Sequence, residues 1–145
     1  MKRKIIDLLS IAMSCMMLFV MLPSASAVAL RSSDRFWQIT VGAQATGSGA
    51  VTFEFDINAT HTMKELGASQ VVIYEQQSSG TYKSVKTYTR NSTSGLIATN
   101  TAAAYGNVTY LGVFGKKYYA TFTLYAKDSD NTSETVYKST SVVTA

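Results

Sequence analysis

The sequence predicts an all-β protein, a single antiparallel β-sandwich of seven to eight strands. Residues typical of strands and turns dominate it: beyond residue 27 the chain holds 18 Thr, 13 Ser and 9 Tyr. Apolar–polar alternation recurs in segments separated by Gly, Asn and Ser at roughly 8–12-residue spacing, as in sandwiches. No segment of useful length has helical periodicity.

The first 27 residues predict a cleaved signal peptide. Residues 1–4 are positively charged, an apolar run covers 11–22, and Ala25-Ser26-Ala27 fits a signal peptidase site. That apolar run is shorter than the ~20 residues of a membrane-spanning helix. We therefore expect a secreted, extracellular protein, released or loosely held at a surface, with no membrane attachment after cleavage.

The mature chain then has a flexible N-terminus over 28–35 and one domain over 36–145. It carries 10 basic and 8 acidic residues, with Lys116-Lys117 as the only basic pair. A nucleic-acid-binding domain has a clustered basic face, so we expect no nucleic-acid partner. Cys15 lies in the signal, which excludes disulfides, thiolate metal sites and a cysteine nucleophile from the mature chain.

The first half of the domain contains three predicted strands, over 36–46, 50–59 and 69–76. The second of them alternates most clearly and points these residues inward: Val51, Phe53, Phe55 and Ile57. Between the second and third strands, 60–68 is expected to be a connection with one helical turn that ends at Gly67. Met63 and Leu66 in this connection would close one end of the core.

The second half contains predicted strands over 82–90, 96–101, 108–113, 117–127 and 134–143. The broken alternation of 82–90 predicts a bulge or an edge position, and 102–107 is expected to be a loop. Within 117–127 one face is predicted to be inward: Tyr118, Ala120, Phe122, Leu124 and Ala126. The opposite face would be outward: Tyr119, Thr121, Thr123, Tyr125 and Lys127.

The C-terminal third resembles the last strands of a fibronectin type III or immunoglobulin-like domain, on residues 115–127 and 139–144. The resemblance implies an immunoglobulin-like sandwich in which the Tyr118 hydroxyl bonds back to the chain. Most of 36–145 is also similar to a group of small secreted proteins of Gram-positive, often gut-dwelling, bacteria, on 63–73, 82–89 and 112–126. This second resemblance carries no catalytic motif.

Outward tyrosines are the candidate binding residues. Tyr119 and Tyr125 flank two threonines on the outward face of 117–127, and Tyr74 would lie on a neighbouring strand. Tyrosine offers apolar area and a polar tip, so such a surface suits a cell-surface glycan or a protein. The alternative interpretation is that these tyrosines only stabilise the sheet through cross-strand pairs.

Other constellations give weaker signals. His61 is the only histidine, and no nucleophile motif accompanies it. Glu54 and Asp56 share the outward face of a strand, about 7 Å apart, a separation that glycosidases use, but small sandwiches lack a deep cleft. Loop 128–134 has oxygen ligands at alternate positions and lacks the glycine of a calcium-binding EF-hand loop, leaving a weak calcium site as an alternative.

These observations predict a secreted, non-enzymatic module that binds cell-surface glycan or protein, with no catalytic residue, metal or cofactor. The alternative is a structural or self-associating component of the cell envelope that pairs through edge strands.

Overall fold

The computed structural model describes residues 33–145, which form seven strands and no helix. The predicted all-β, antiparallel class is confirmed. The strands are β1 (Phe36–Gly47), β2 (Ala50–Gln76), β3 (Tyr82–Thr89), β4 (Ile97–Leu111), β5 (Lys117–Lys127), β6 (Ser133–Ser139) and β7 (Val143–Thr144). The predicted signal peptide and most of the predicted flexible N-terminus lie outside the described residues. From residue 33 onward, no helix could cross a membrane.

Strand β2 organises the sheet, because four of the other strands pair with it. Its first half, 50–58, lies between β1 and β4. Its second half, 70–76, lies between β3 and β5. On β5, the side away from β2 pairs with β6 and β7. The seven strands thus form one continuous antiparallel sheet.

The sheet curls upon itself, so both halves of β2 contribute to a single core. The pairing of β2 with β4 shifts register between Asn58 and Met63, where the strand bends. Phe55, which precedes the bend, meets Phe122 of β5 edge to face across the core, with ring centroids 5.9 Å apart. The predicted inward residues of 50–59 and 117–127, and Met63 and Leu66, are all buried, as expected.

The helical turn predicted for 60–68 is wrong, because this segment is part of β2. The Thr60 N–H donates to the Arg35 carbonyl at 2.9 Å, and residues 63–67 pair with β4. From Glu65 onward the segment also pairs with β5. Hydrogen bonds to two neighbouring strands outweigh the weak local preference for a helical turn. The separately predicted strands 50–59 and 69–76 are therefore one strand of 27 residues.

Two other boundaries differ from prediction. The expected loop 102–107 joins 96–101 to 108–113 as β4, with Ala104 and Gly106 on its buried face. These residues are small because the core side chains leave little room: a Cβ on Gly106 would lie 2.6 Å from the Phe55 ring.

The predicted last strand divides at Thr140. The backbone N–H of this buried residue donates to the Ala120 carbonyl, and its hydroxyl accepts from the Ala120 N–H. These two bonds hold the chain beside β5 after β6 ends, and residues 143–144 then pair with the start of β5 as β7. The bulge predicted in 82–90 is confirmed, at Val85 between the pairs Ile73–Lys86 and Tyr74–Ser84.

Gly67 lies at a close approach between backbones. Its φ is +150°, and a Cβ there would be 2.0 Å from the Leu96 carbonyl oxygen. The neighbouring Ala68 N–H donates to the same oxygen at 2.7 Å. No side chain can occupy position 67 without separating β2 from the turn that leads into β4.

We predict that Gly67→Ala lowers the free energy of unfolding by at least about 2 kcal/mol, because it adds an overlap to an unfavourable φ. Gly80→Ala is the matched control: its φ is +84° with no atom within 4 Å of the added carbon. It should cost only about 1 kcal/mol, from the backbone conformation alone. Urea unfolding measures both variants, and equal costs would contradict the close approach.

Candidate functional site

The outward side of the sheet around β5 carries a surface that we call the tyrosine face. It consists of Tyr74, Tyr82, Tyr119, Tyr125 and Tyr137, with Thr121 and Thr123 among them. On β5 these residues alternate with fully buried ones, which sets their direction. Cross-strand register adds the others, because residues directly opposite one another share a face of the sheet.

One end of the tyrosine face is a cluster of three rings. Tyr74 and Tyr119 are opposite each other and stack, with centroids 4.8 Å apart and an interplanar angle of 7°. Tyr82 meets Tyr119 edge to face, at 4.9 Å and 74°. The stacked rings cover each other, so they stabilise strand pairing by about 0.5–1.5 kcal/mol. What the cluster can offer to a ligand is therefore ring edges and hydroxyls.

Tyr125 lies at the other end, about 20 Å from Tyr119 along the strand. The Arg90 guanidinium lies over its ring, 5.2 Å from the centroid, and also donates to Glu65 at 3.0 Å. The structure thus brings Tyr74 and Tyr119 into contact and keeps Tyr125 apart from them. The three predicted binding residues form two separate aromatic groups on one face.

A depression of about 180 Å³ lies beside Arg90, whose guanidinium covers the Tyr125 ring. It is lined by Glu65, Arg90, Asn91, Ile97 and Thr99. Gly67 is paired with both Tyr125 and Ile97, so Tyr125 and the lining residue Ile97 lie on the two strands that flank β2. Sites that enclose a small molecule measure about 300–1,000 Å³, so this one can hold only one unit of a longer ligand.

Sequence reasoning missed part of this surface. Tyr82 begins β3 and Tyr137 lies within β6, and both strands are short. Only the alternation within these strands could have predicted that the two side chains point outward. Arg90 and Glu65 are 25 residues apart and meet through the register of β2 with β3. No local pattern in the sequence contains that pairing.

His61 belongs to a polar junction where the start of β1 meets the end of β5. Its Nε2 lies 2.6 Å from Asp128 Oδ1, and its Nδ1 lies 3.0 Å from the Thr60 hydroxyl. Arg35 Nε donates to Asp128 Oδ2 at 2.8 Å. The Thr60 hydroxyl donates to the Asp34 carbonyl at 2.9 Å. These contacts connect β1, β2 and β5 at the bend of β2. The Thr60 hydroxyl is already hydrogen-bonded to a backbone carbonyl.

The acidic and amide side chains of loop 128–134 each have a hydrogen-bond partner. Asn131 Oδ1 accepts from Lys64 at 3.0 Å, and Glu134 Oε2 accepts from the Arg35 N–H at 3.3 Å. Hydrogen bonds from the Thr132 hydroxyl and N–H lower the pKa of the Asp130 carboxyl. Within residues 33–145, no three His, Cys, Asp or Glu side chains are grouped to hold a metal ion.

Glu54 and Asp56 do face outward together. The Tyr105 hydroxyl donates to Glu54 Oε2 at 3.3 Å, and the Glu54 side chain lies across Gly42 of β1. A Cβ on Gly42 would approach the Glu54 carboxylate to 3.0 Å. This pair lies on the β1–β2–β4 half of the sheet, away from the tyrosine face.

Tyr118, the inward neighbour of Tyr119, anchors the strand beneath the face. Its hydroxyl accepts from the Val113 N–H and donates to Glu75 Oε2, both at 2.8 Å. The first contact is the bond back to the chain that the sequence resemblance implied. Burial, followed by the Glu75 charge and hydrogen bond, raises the pKa of Tyr118 despite the opposing Val113 bond. Partial burial beside Tyr74 and Tyr82 likewise raises the pKa of Tyr119.

No protein-family model matches the chain, and no curated protein is significantly similar to it.

We predict that the folded protein loses stability at alkaline pH, because Tyr118 ionises there. Because its folded-state pKa lies above the ordinary 10.0, its contribution is fully present below that value and is lost as pH rises through the raised pKa. Tyr118→Phe should flatten the fall in unfolding free energy above about pH 10. At neutral pH it should cost about 1–3 kcal/mol, since Val113 and Glu75 lose a partner.

Urea unfolding at neutral and alkaline pH measures both effects in the wild type and the variant. Tyr119 and Tyr88, whose pKa values are also raised by burial, leave some alkaline dependence in the variant. An identical alkaline loss in the two proteins would contradict the role of Tyr118.

Proposed function

We propose that this protein is a secreted, non-enzymatic module that binds a cell-surface glycan along the tyrosine face. The observation that carries the proposal is the outward row of β5, where an uncharged stretch separates two aromatic groups about 20 Å apart. A surface of that length exceeds a single sugar ring, so the ligand would be a polymer.

The chemistry of the central stretch favours a neutral, hydroxyl-rich ligand. Thr121 and Thr123 are outward and half-buried on β5, and Val72 and Gln70 lie opposite them on β2. None of these four side chains is charged. Hydroxyl and amide groups can exchange hydrogen bonds with sugar hydroxyls, and tyrosine rings supply the apolar area that sugar C–H groups need.

The depression beside Arg90 would hold the end or a branch of the polymer. Arg90 and Glu65 there are fixed by their ion pair and by the ring of Tyr125, so their outer hydrogen-bonding positions are ordered before a ligand arrives. Preorganised polar groups reduce the entropy cost of binding. Because the depression is shallow, affinity at one site would be modest.

Export and an immunoglobulin-like sandwich are parts of the same proposal. The signal sequence of residues 1–27 supports export. The contact of Phe55 with Phe122 across the core and the Tyr118 hydroxyl bond support a sandwich arrangement. The unbroken strand β2 would make it an unusual one, with a single strand shared by both layers.

The experiment is a glycan-array and purified cell-wall binding screen with the wild type, Tyr119→Ala/Tyr125→Ala and Tyr105→Ala. The double variant removes one ring from each aromatic group, and we expect at least about tenfold weaker binding. Tyr105 is the matched control, an exposed tyrosine on β4 outside the tyrosine face. Its substitution should change the affinity less than about twofold.

Three outcomes would overturn the glycan proposal. The wild type could bind no glycan or wall fraction, or the double variant could bind as well as the wild type. Binding to whole cells that protease removes and glycosidase spares would identify a protein ligand, which tyrosine-rich surfaces also recognise.

A further inference from the structure

We propose that strand β1 is a docking edge for a second copy of this chain, whose own β1 pairs with it antiparallel about a twofold axis. The site is separate from the tyrosine face, because it lies on the β1–β2–β4 half of the sheet. Failure of either proposal leaves the other intact.

In the part of the chain that the structure describes, no strand pairs with the outer edge of β1, although parts of β5 and β7 lie close to β1. Within residues 33–145, β1 pairs with β2 alone, so its other side has a row of backbone N–H and C=O groups without strand partners. Its register shifts lie at the two ends, which leaves Gln38–Ala45 as a regular strand. Such an edge matches only another strand, since its donors and acceptors alternate along the backbone.

Natural proteins protect edges with charges, prolines, short strands or covering side chains. Two of the other edge strands follow this rule: β3 carries Lys83 and Lys86, and β6 carries Glu134 and Lys138. On β4, the Tyr88 hydroxyl reaches over from β3 and donates to the Thr109 carbonyl at 3.0 Å.

Within residues 33–145, strand β1 shows none of these protections. Its 12 residues, Phe36–Gly47, contain no charge and no proline. We find no comparable covering side chain among its hydrogen bonds in the described chain.

The side chains of β1 show the kind of strand that would cover it. Ile39, Val41 and Ala43 point inward and pack against the core, but they remain partly exposed. Trp37, beside them, is 74% exposed. A neighbouring strand with apolar residues on the same side would continue the core across the edge and remove this surface from water.

A second copy of β1 fits that requirement. Rotation by 180° about the sheet normal makes the two strands antiparallel and keeps both inward rows on one side. Since β1 is uncharged, no like charges become direct neighbours. The nearest acidic residues within the sheet are Glu54 and Asp56 on β2, whose backbone would lie about 14 Å from that of β2 in the other copy. The Glu54 side chain leans toward β1, over Gly42, so its carboxylate is the acidic group nearest to the proposed pairing.

Sedimentation equilibrium of the mature protein from about 5 to 500 µM tests the proposal, and we expect a dimer with a dissociation constant of about 100 µM or tighter. In Thr40→Lys/Gln44→Lys, two exposed β1 positions gain charges that meet across the twofold axis. We expect at least about tenfold weaker association. Asn107→Lys, at an exposed position on β4, is the matched control and should leave the association unchanged.

Hydrogen exchange provides a readout that needs no variant. Amides within 38–45 should exchange more slowly at high than at low protein concentration, because pairing protects them. A wild type that stays monomeric throughout, a double variant that still dimerises as tightly, or an effect confined to Asn107→Lys would each overturn the proposal. So would protection of 38–45 that does not depend on concentration.

Discussion

The hydrogen bonding of one long strand, β2, is the constraint on which the rest of this structure depends. Its 27 residues pair with β1 and β4 at one end and with β3 and β5 at the other. The bend between Asn58 and Met63 lets the two ends face a common core. Asp128 holds this bend from outside, through Arg35 at the start of β1 and His61 on β2. The only histidine is thus part of the junction that brings the ends of β1 and β5 together.

The sequence predicted the elements whose pattern is local. Strict alternation identified 117–127 and its buried row, and it placed Tyr119 and Tyr125 outward, where the structure has them. The continuity of β2 through 60–68 was not predictable in this way, because hydrogen bonds to distant strands determine it. For the same reason the sequence could not show that Tyr74 stacks on Tyr119 while Arg90 covers Tyr125.

The two proposed surfaces use different halves of the sheet. The tyrosine face is formed by side chains, and its affinity would come from aromatic rings and hydroxyls held on rigid strands. The β1 edge is formed by backbone N–H and C=O groups, and its specificity would come from strand pairing and from the apolar row beside it. A dimer through β1 would present two tyrosine faces together. On a polymeric ligand, two modest sites joined in this way bind more tightly than either alone, without any new contact.

The most direct test of this account is native-state hydrogen exchange along β2. If one strand links both halves of the sheet, amides in 51–57 and 71–75 should open with the same free energy, equal to that of global unfolding. Urea should then promote exchange of both segments together. Exchange of one half at a clearly lower free energy, while the other stays protected, would show two separable units and contradict the central role of β2.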